Sequence, residues 1–120
     1  MNAPIFPVLS ASAGVREIFG DPPRVSPFSE GLHAGPKPYA TYQWAGGSPE
    51  NYLADRPDVD NVSLQVDVYA LDDVTLGKGV RAIRDAIELH CYITSWRGQT
   101  VDRDTGLLRF SFDCDWLASR

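Results

Sequence analysis

Two runs of alternating hydrophobicity, one on each side of an amphipathic stretch, constrain what this chain can fold into more than any other feature. In the first, Val62, Leu64, Val66, Val68 and Ala70 alternate with Ser63, Gln65, Asp67 and Tyr69. In the second, Leu108, Phe110, Phe112, Cys114 and Trp116 alternate with Arg109, Ser111, Asp113 and Asp115. Successive side chains of a strand point to opposite faces, so each run reads as a strand with one face in a core. Between them Leu76, Val80, Ile83 and Ile87 recur at helical spacing behind the cap candidates Asp72 and Asp73. Arg81, Arg84, Asp85 and Glu88 take the wet side, which predicts a helix to about Leu89.

Weaker signals supply the other elements. Val8, Leu9, Val15, Ile18 and Phe19 predict one helix over about residues 4–19, closed by Gly20-Asp21-Pro22-Pro23. Residues 20–38 are punctuated by proline and read as a loop with a short edge strand around Arg24 to Phe28. The aromatic run Tyr39 to Ala45 predicts a strand ended by Gly46-Gly47, and residues 46–61 an extended loop or projecting hairpin tip. A strand from about Cys91 to Trp96 and a turn-rich connection from Gly98 to Gly106 lead into the last strand. The order α-β-β-β-α-β-β, with strands in hairpins rather than βαβ units, predicts an α+β fold. Its sheet is mostly antiparallel, with two helices packed on one face. A length of 120 residues suits a single domain over 1–120.

A formal net charge of −5 speaks against a surface built to bind nucleic acid, which needs clustered cations. The two cysteines, Cys91 and Cys114, are too few for a disulfide-stapled secreted domain. The N-terminal segment has no basic stretch ahead of its apolar residues, so a signal peptide is not expected, and no apolar run is long enough for a membrane span.

A search for catalytic chemistry returns nothing specific. His33 and His90 have no serine or cysteine nucleophile patterned beside them, and Cys91 and Cys114 lack metal-ligand spacing and read as buried free thiols. Asp102-Arg103-Asp104-Thr105-Gly106 opens like a calcium loop but departs from it at Gly106 and Leu107, so a hairpin turn is expected. Gly77-Lys78-Gly79 falls inside the helical pattern and lacks the rest of a phosphate loop. Asp55, Asp58 and Asp60 read as a solvated acidic loop. No catalytic residue, metal or cofactor is expected.

Aromatic residues are plentiful: Tyr39, Tyr42, Trp44, Tyr52, Tyr69, Tyr92, Trp96 and Trp116. Either they form ordinary cross-strand pairs or some of them belong to a subunit interface. Tyr69 is the sharpest case, because its strand face is the one opposite the core-directed valines and it is expected to be exposed.

The stretch from Lys37 to Ala70 resembles the small tail completion, or tail terminator, proteins of long-tailed bacteriophages. It carries Pro38-Tyr39, Tyr42-Gln43, a Gly/Pro loop, Asp60-Asn61 and Gln65-Val66-Asp67. The ends agree as well, through Gly20-Asp21, the helix VRAIRDAIE and the entry DTGLLRFSFD to the closing strand. The resemblance implies a non-enzymatic virion protein of the tail and neck, assembled in the host bacterial cytoplasm, that caps the tail tube as a homo-hexameric ring. Its implied partners are the tail tube protein and a head-completion or connector protein, with DNA passing through the ring without specific binding. A different neck or head-tail connector is the alternative. A closing ring needs two unlike patches per subunit. One is expected around Gln65, Asp67 and Tyr69, and the other, or the tube contact, at Tyr52 and Leu53. Asp55, Asp58 and Asp60 are expected to line the lumen.

Overall fold

The computed structural model describes residues 2–28, 35–50 and 58–119. Its elements run α1 (Ile5–Ser10), α2 (Ala13–Phe19), β1 (Val25–Pro27), β2 (Tyr39–Pro49), β3 (Val59–Ala70), α3 (Asp73–Ile87), β4 (Tyr92–Val101) and β5 (Leu108–Ser119). The five strands form one sheet in the order β1-β2-β3-β5-β4. Only β1 runs parallel to its neighbour; the other three pairings are antiparallel, as the hairpin reading predicted.

The two alternating runs become β3 and β5, paired from Val59↔Ser119 to Ala70↔Leu108. Their apolar sides meet one core with the helices: Val62, Leu64, Val66 and Val68 from β3, Phe112, Cys114 and Trp116 from β5, and Leu76, Ile83 and Ile87 from α3. Asp72 caps α3, its Oδ1 accepting from the Thr75 amide at 2.8 Å. A close helix approach is made at Gly79, where an added Cβ would stand 3.0 Å from Phe19 Cζ and 3.3 Å from Val68 Cγ1. Here the absence of a side chain lets α3 sit down on both α2 and the sheet.

Four boundaries differ from the sequence reading. The single helix expected over 4–19 is two, so the sheet carries three helices. Ser12 turns extended (φ −88°, ψ 121°) and its hydroxyl accepts from the Val15 amide, starting α2 afresh. Arg16 Nη1 then donates to the Ser10 carbonyl at 2.7 Å and binds the end of α1 to α2. The strand expected to stop at Gly46-Gly47 continues to Pro49 through a bulge between Trp44 and Gly46. Gly47 has φ +145°, and a Cβ there would lie 2.1 Å from the Asn61 carbonyl oxygen, so only glycine lets the two strands stay paired. Of the expected extended loop or projecting hairpin tip over 46–61, residues 46–49 and 59–61 belong to the paired strands β2 and β3, with Pro49 opposite Asp60.

On the other side of the sheet β4 does not end at Trp96 but reaches Val101, through two bulges and Gly98 at φ +95°. The expected turn shrinks to Asp102–Gly106. There Thr105 Oγ1 donates to Asp102 Oδ2 at 2.6 Å and the Gly106 amide to the Asp102 carbonyl at 2.7 Å. The helix expected to reach Leu89 ends at Ile87, whose carbonyl accepts from His90 and Cys91.

Candidate assembly surfaces

The sheet face opposite the helices carries Ser63, Gln65, Asp67 and Tyr69 of β3. They stand in register with Gln43, Thr41 and Tyr39 of β2 and with Asp115, Asp113, Ser111 and Arg109 of β5. The sequence placed these residues on the correct face but expected Tyr69 to be exposed, and the structure corrects that. Tyr69 is 7% exposed and Asp67 3%. The physical reason is Tyr39, whose ring stacks on Tyr69 with centroids 4.8 Å apart, while Leu107 completes a second small apolar cluster. Beside it Asp67 accepts from Ser111 Oγ and, at 3.2 Å, from Gln65 Nε2, so its burial is compensated by hydrogen bonds.

Both phenols are pushed to higher pKa than usual, Tyr69 by burial and then the charge of Asp67, and Tyr39 by burial and then its stacked partner. They are neutral at any physiological pH. Tyr69→Asp is thus expected to destabilise the fold itself, by about 2 kcal/mol or more, because it places a second carboxylate beside Asp67 in a buried cluster. Urea unfolding measures this, and unchanged stability would show that the stack does not hold this corner. Further along the face Ser63 Oγ donates to Asp115 Oδ1 at 2.6 Å and Arg97 Nε to Asp113 Oδ2 at 2.9 Å. These carboxylates are thus engaged with neighbours on the same face, while Thr41 Oγ1 and Arg109 Nε are buried without a hydrogen-bond partner among the described residues.

The apolar surface lies elsewhere. Among the described residues β1 pairs with β2 only at Ala40, Thr41 and Tyr42, so from Gln43 onward this edge of β2 has no described strand beside it. Past this point β2 and β3 extend as the hairpin, and Trp44, on the core side in register with Leu64, is 59% exposed. Two clefts flank its indole. One, of about 580 Å³, is lined by Phe28, Tyr42 and Leu64, and the other, of about 430 Å³, by Gly47, Pro49 and Val62. Phe28 on the rim is 52% exposed. An exposed tryptophan between two apolar clefts has the make-up of an interface anchor.

The opposite edge of the sheet, β4, is aromatic too, with Tyr92 at 75% and Trp96 at 45% exposure. Trp96 is anchored within the subunit: its ring lies 5.3 Å from Phe112, and the Arg84 guanidinium sits 5.4 Å from its centroid. The sequence counted Trp44 and Trp96 among the aromatics but singled out neither. The signal available was the bulge-forming Gly46-Gly47 directly after Trp44-Ala45, which carries the strand past the reach of the helices.

Of the acidic residues, Asp58 is exposed just before β3, and Asp60 is half-buried between Pro49 and Ala118. Asp55, Tyr52, Leu53 and His33 lie outside the described residues. Among the described residues no group of three or more His, Cys, Asp and Glu side chains is placed to hold a metal ion, and no helix is long and apolar enough to cross a membrane.

Comparison with known proteins agrees with the resemblance read from the sequence. The model of a family described as tail completion protein gp17 matches residues 3–119. A chain in the solved structure described as the virion of a native gene transfer agent particle shares the fold. Its TM-score is 0.69 at 12% identity, over 97% of this chain and 92% of that one. No curated protein matches the sequence.

Proposed function

Because the chain belongs to the tail completion protein gp17 family, we propose that it closes the head-proximal end of a tail tube as a ring and presents the surface on which the head docks. A structural role in the tail of a phage-like virion follows from the family itself. The ring, its hexameric count and its neighbours are our reading. The observation that carries it is the placement of two unlike surfaces at opposite edges of one sheet: the Trp44 groove beside β2, and the edge of β4 with Tyr92 and Trp96. A closed ring of identical subunits needs such a head-to-tail contact, in which one patch meets a different patch on the next copy.

In this reading the occupant of the Trp44 groove is the β4 side of the neighbouring copy. The likeness in fold to a chain of an assembled virion supports a place in such a particle. Gln65 on the open face and, from the segment between β2 and β3, Tyr52 and Leu53 remain proposed contacts, the latter two with the tube. Asp67 and Tyr69 shape that face from within rather than touching a neighbour. Asp55, Asp58 and Asp60 are proposed to face the lumen, where repeated negative charge lets DNA slide without adhering.

The test is co-sedimentation with assembled tail tubes followed by electron microscopy. A ring at the head-proximal tube end is the expected result. Binding to DNA-filled heads with none to tubes would move the chain to the connector side of the neck.

A further inference from the structure

The open face of the sheet leaves two hydrogen-bonding groups unused, and both line the same pocket. Thr41 is 4% exposed, and its Oγ1 is buried with no hydrogen-bond partner among the described residues. Neither flanking strand supplies one. Its β3 neighbour Asp67 accepts from Ser111 and Gln65, and its β1 neighbour Ser26 is buried with an unpartnered hydroxyl of its own. Arg109 of β5 repeats the situation, because its Nε is buried without a partner and its guanidinium forms no ion pair among the described residues. Groups that give up water without compensation weaken a fold, so two of them in one pocket point to an occupant.

The pocket measures about 210 Å³. That is room for one side chain, and less than the roughly 300 Å³ at which sites for drug-sized ligands begin. The stacked rings of Tyr39 and Tyr69 form part of its wall with Phe28, and the turn between β4 and β5 contributes Asp102, Asp104 and Thr105. Thr41 and Arg109 thus bring donors, while Asp102 and Asp104 bring acceptors.

Charge narrows the choice of occupant. A carboxylate would meet Arg109 and Lys37, whose Nζ lies 5.9 Å from the Tyr39 ring centroid, but also Asp102, Asp104 and the buried Asp67. An ammonium would leave Arg109 Nε without an acceptor. A neutral carboxamide answers both sets: its oxygen accepts from Thr41 and Arg109, its amino group donates to Asp102 or Asp104, and no net charge is desolvated. We propose that this pocket is a binding site for one carboxamide, the side chain of a glutamine or asparagine carried by a protein partner. That the carboxamide arrives on a protein rests on the assembly reading above, whereas the preference of the pocket does not.

The probes are glutamine, glutamate, lysine and methionine, each blocked as the N-acetyl N-methylamide, titrated into the isotope-labelled full chain and followed by NMR. They share one backbone, so a contact made by peptide groups alone would move the spectrum equally with all four. Blocked glutamine is expected to shift the Arg109 Nε–H resonance saturably in the millimolar range, and the other three to bind roughly tenfold or more weakly. Thr41→Val keeps the shape of the side chain and removes the unpartnered hydroxyl. It is expected to fold with an unchanged or higher urea midpoint and to lose at least about tenfold in affinity for blocked glutamine. No saturable shift, which would leave the pocket to water, equal binding of the four probes, or full affinity in Thr41→Val would each overturn the proposal. Tighter binding of free glutamine than of the blocked form would overturn the protein origin of the carboxamide. If Thr41→Val does not fold, the ranking of the probes on the parent chain decides. A chain that binds blocked glutamine but leaves tail tubes bare would keep the pocket and remove only the tube-end reading.

Discussion

Trp116→Ala is expected to lower the stability of the isolated subunit by about 3–5 kcal/mol, a large part of what a domain of this size possesses. Trp116 is 1% exposed and heads the fully buried side chains by volume. It stands in register with Val62, on the core side of the sheet next to the base of the hairpin, where the helices give way to open groove. Truncation there removes the indole's packing and leaves a void bounded by β-sheet, which relaxes poorly. It also removes the donor to Cys114 Sγ. Trp116→Phe keeps most of the volume and loses only that hydrogen bond and part of the ring, so a loss of roughly 1–2 kcal/mol is expected. The neighbouring Leu117, 62% exposed, provides the control: Leu117→Ala is expected to change stability by no more than about 0.5 kcal/mol. Urea unfolding of the three variants reads this directly. If Trp116→Ala costs no more than Leu117→Ala, the core does not extend to this end of the sheet.

What the sequence disclosed follows from which physical signals are local. The alternation in residues 62–70 and 108–116 survives in β3 and β5 because both are central strands with one face on the core, so every second side chain is apolar for the same reason. Strand β4 lacks that signal. It is an edge with both faces partly in solvent and two bulges, so its residues after Trp96 look like a loop. The break between α1 and α2 was hidden because both helices put their apolar residues into one core, and Val8, Leu9, Val15 and Phe19 keep helical spacing across it. Only Ser12, a capping residue, marked the restart.

Face and exposure separate in the same way. Period two assigns Tyr69 to the open face correctly, but its burial depends on Tyr39, which the β2–β3 register brings opposite it. That register is tertiary information. Gly46-Gly47 carry the opposite lesson: glycine pairs usually end strands, yet here their backbone freedom lets β2 bulge and continue, and that continuation strands Trp44 beyond the helices. The candidate contact residue was therefore visible in the sequence only as one aromatic among several.

Trp44→Asp is expected to abolish ring formation while leaving the subunit folded, and the two readouts must be taken together. An anchor tryptophan in an apolar groove contributes about 2 kcal/mol or more to a contact, or roughly thirtyfold in its equilibrium constant. A ring repeats the same contact at every junction, so the loss multiplies around it and tube-end occupancy should disappear rather than decline. Aspartate adds a charge that must be desolvated in the groove, close to Asp60, whereas in the free subunit it remains in water. Because Trp44 is 59% exposed, unfolding stability should stay within about 1 kcal/mol of the parent. Trp44→Phe, which retains an apolar ring, is expected to assemble with a higher threshold concentration. Sedimentation and electron microscopy on tubes, alongside urea unfolding, distinguish the cases. Normal rings from Trp44→Asp would remove the groove from the subunit contact and leave β4 and the open face around Gln65 to supply it. Loss of rings with an intact fold would place the junction on the Trp44 side of the sheet.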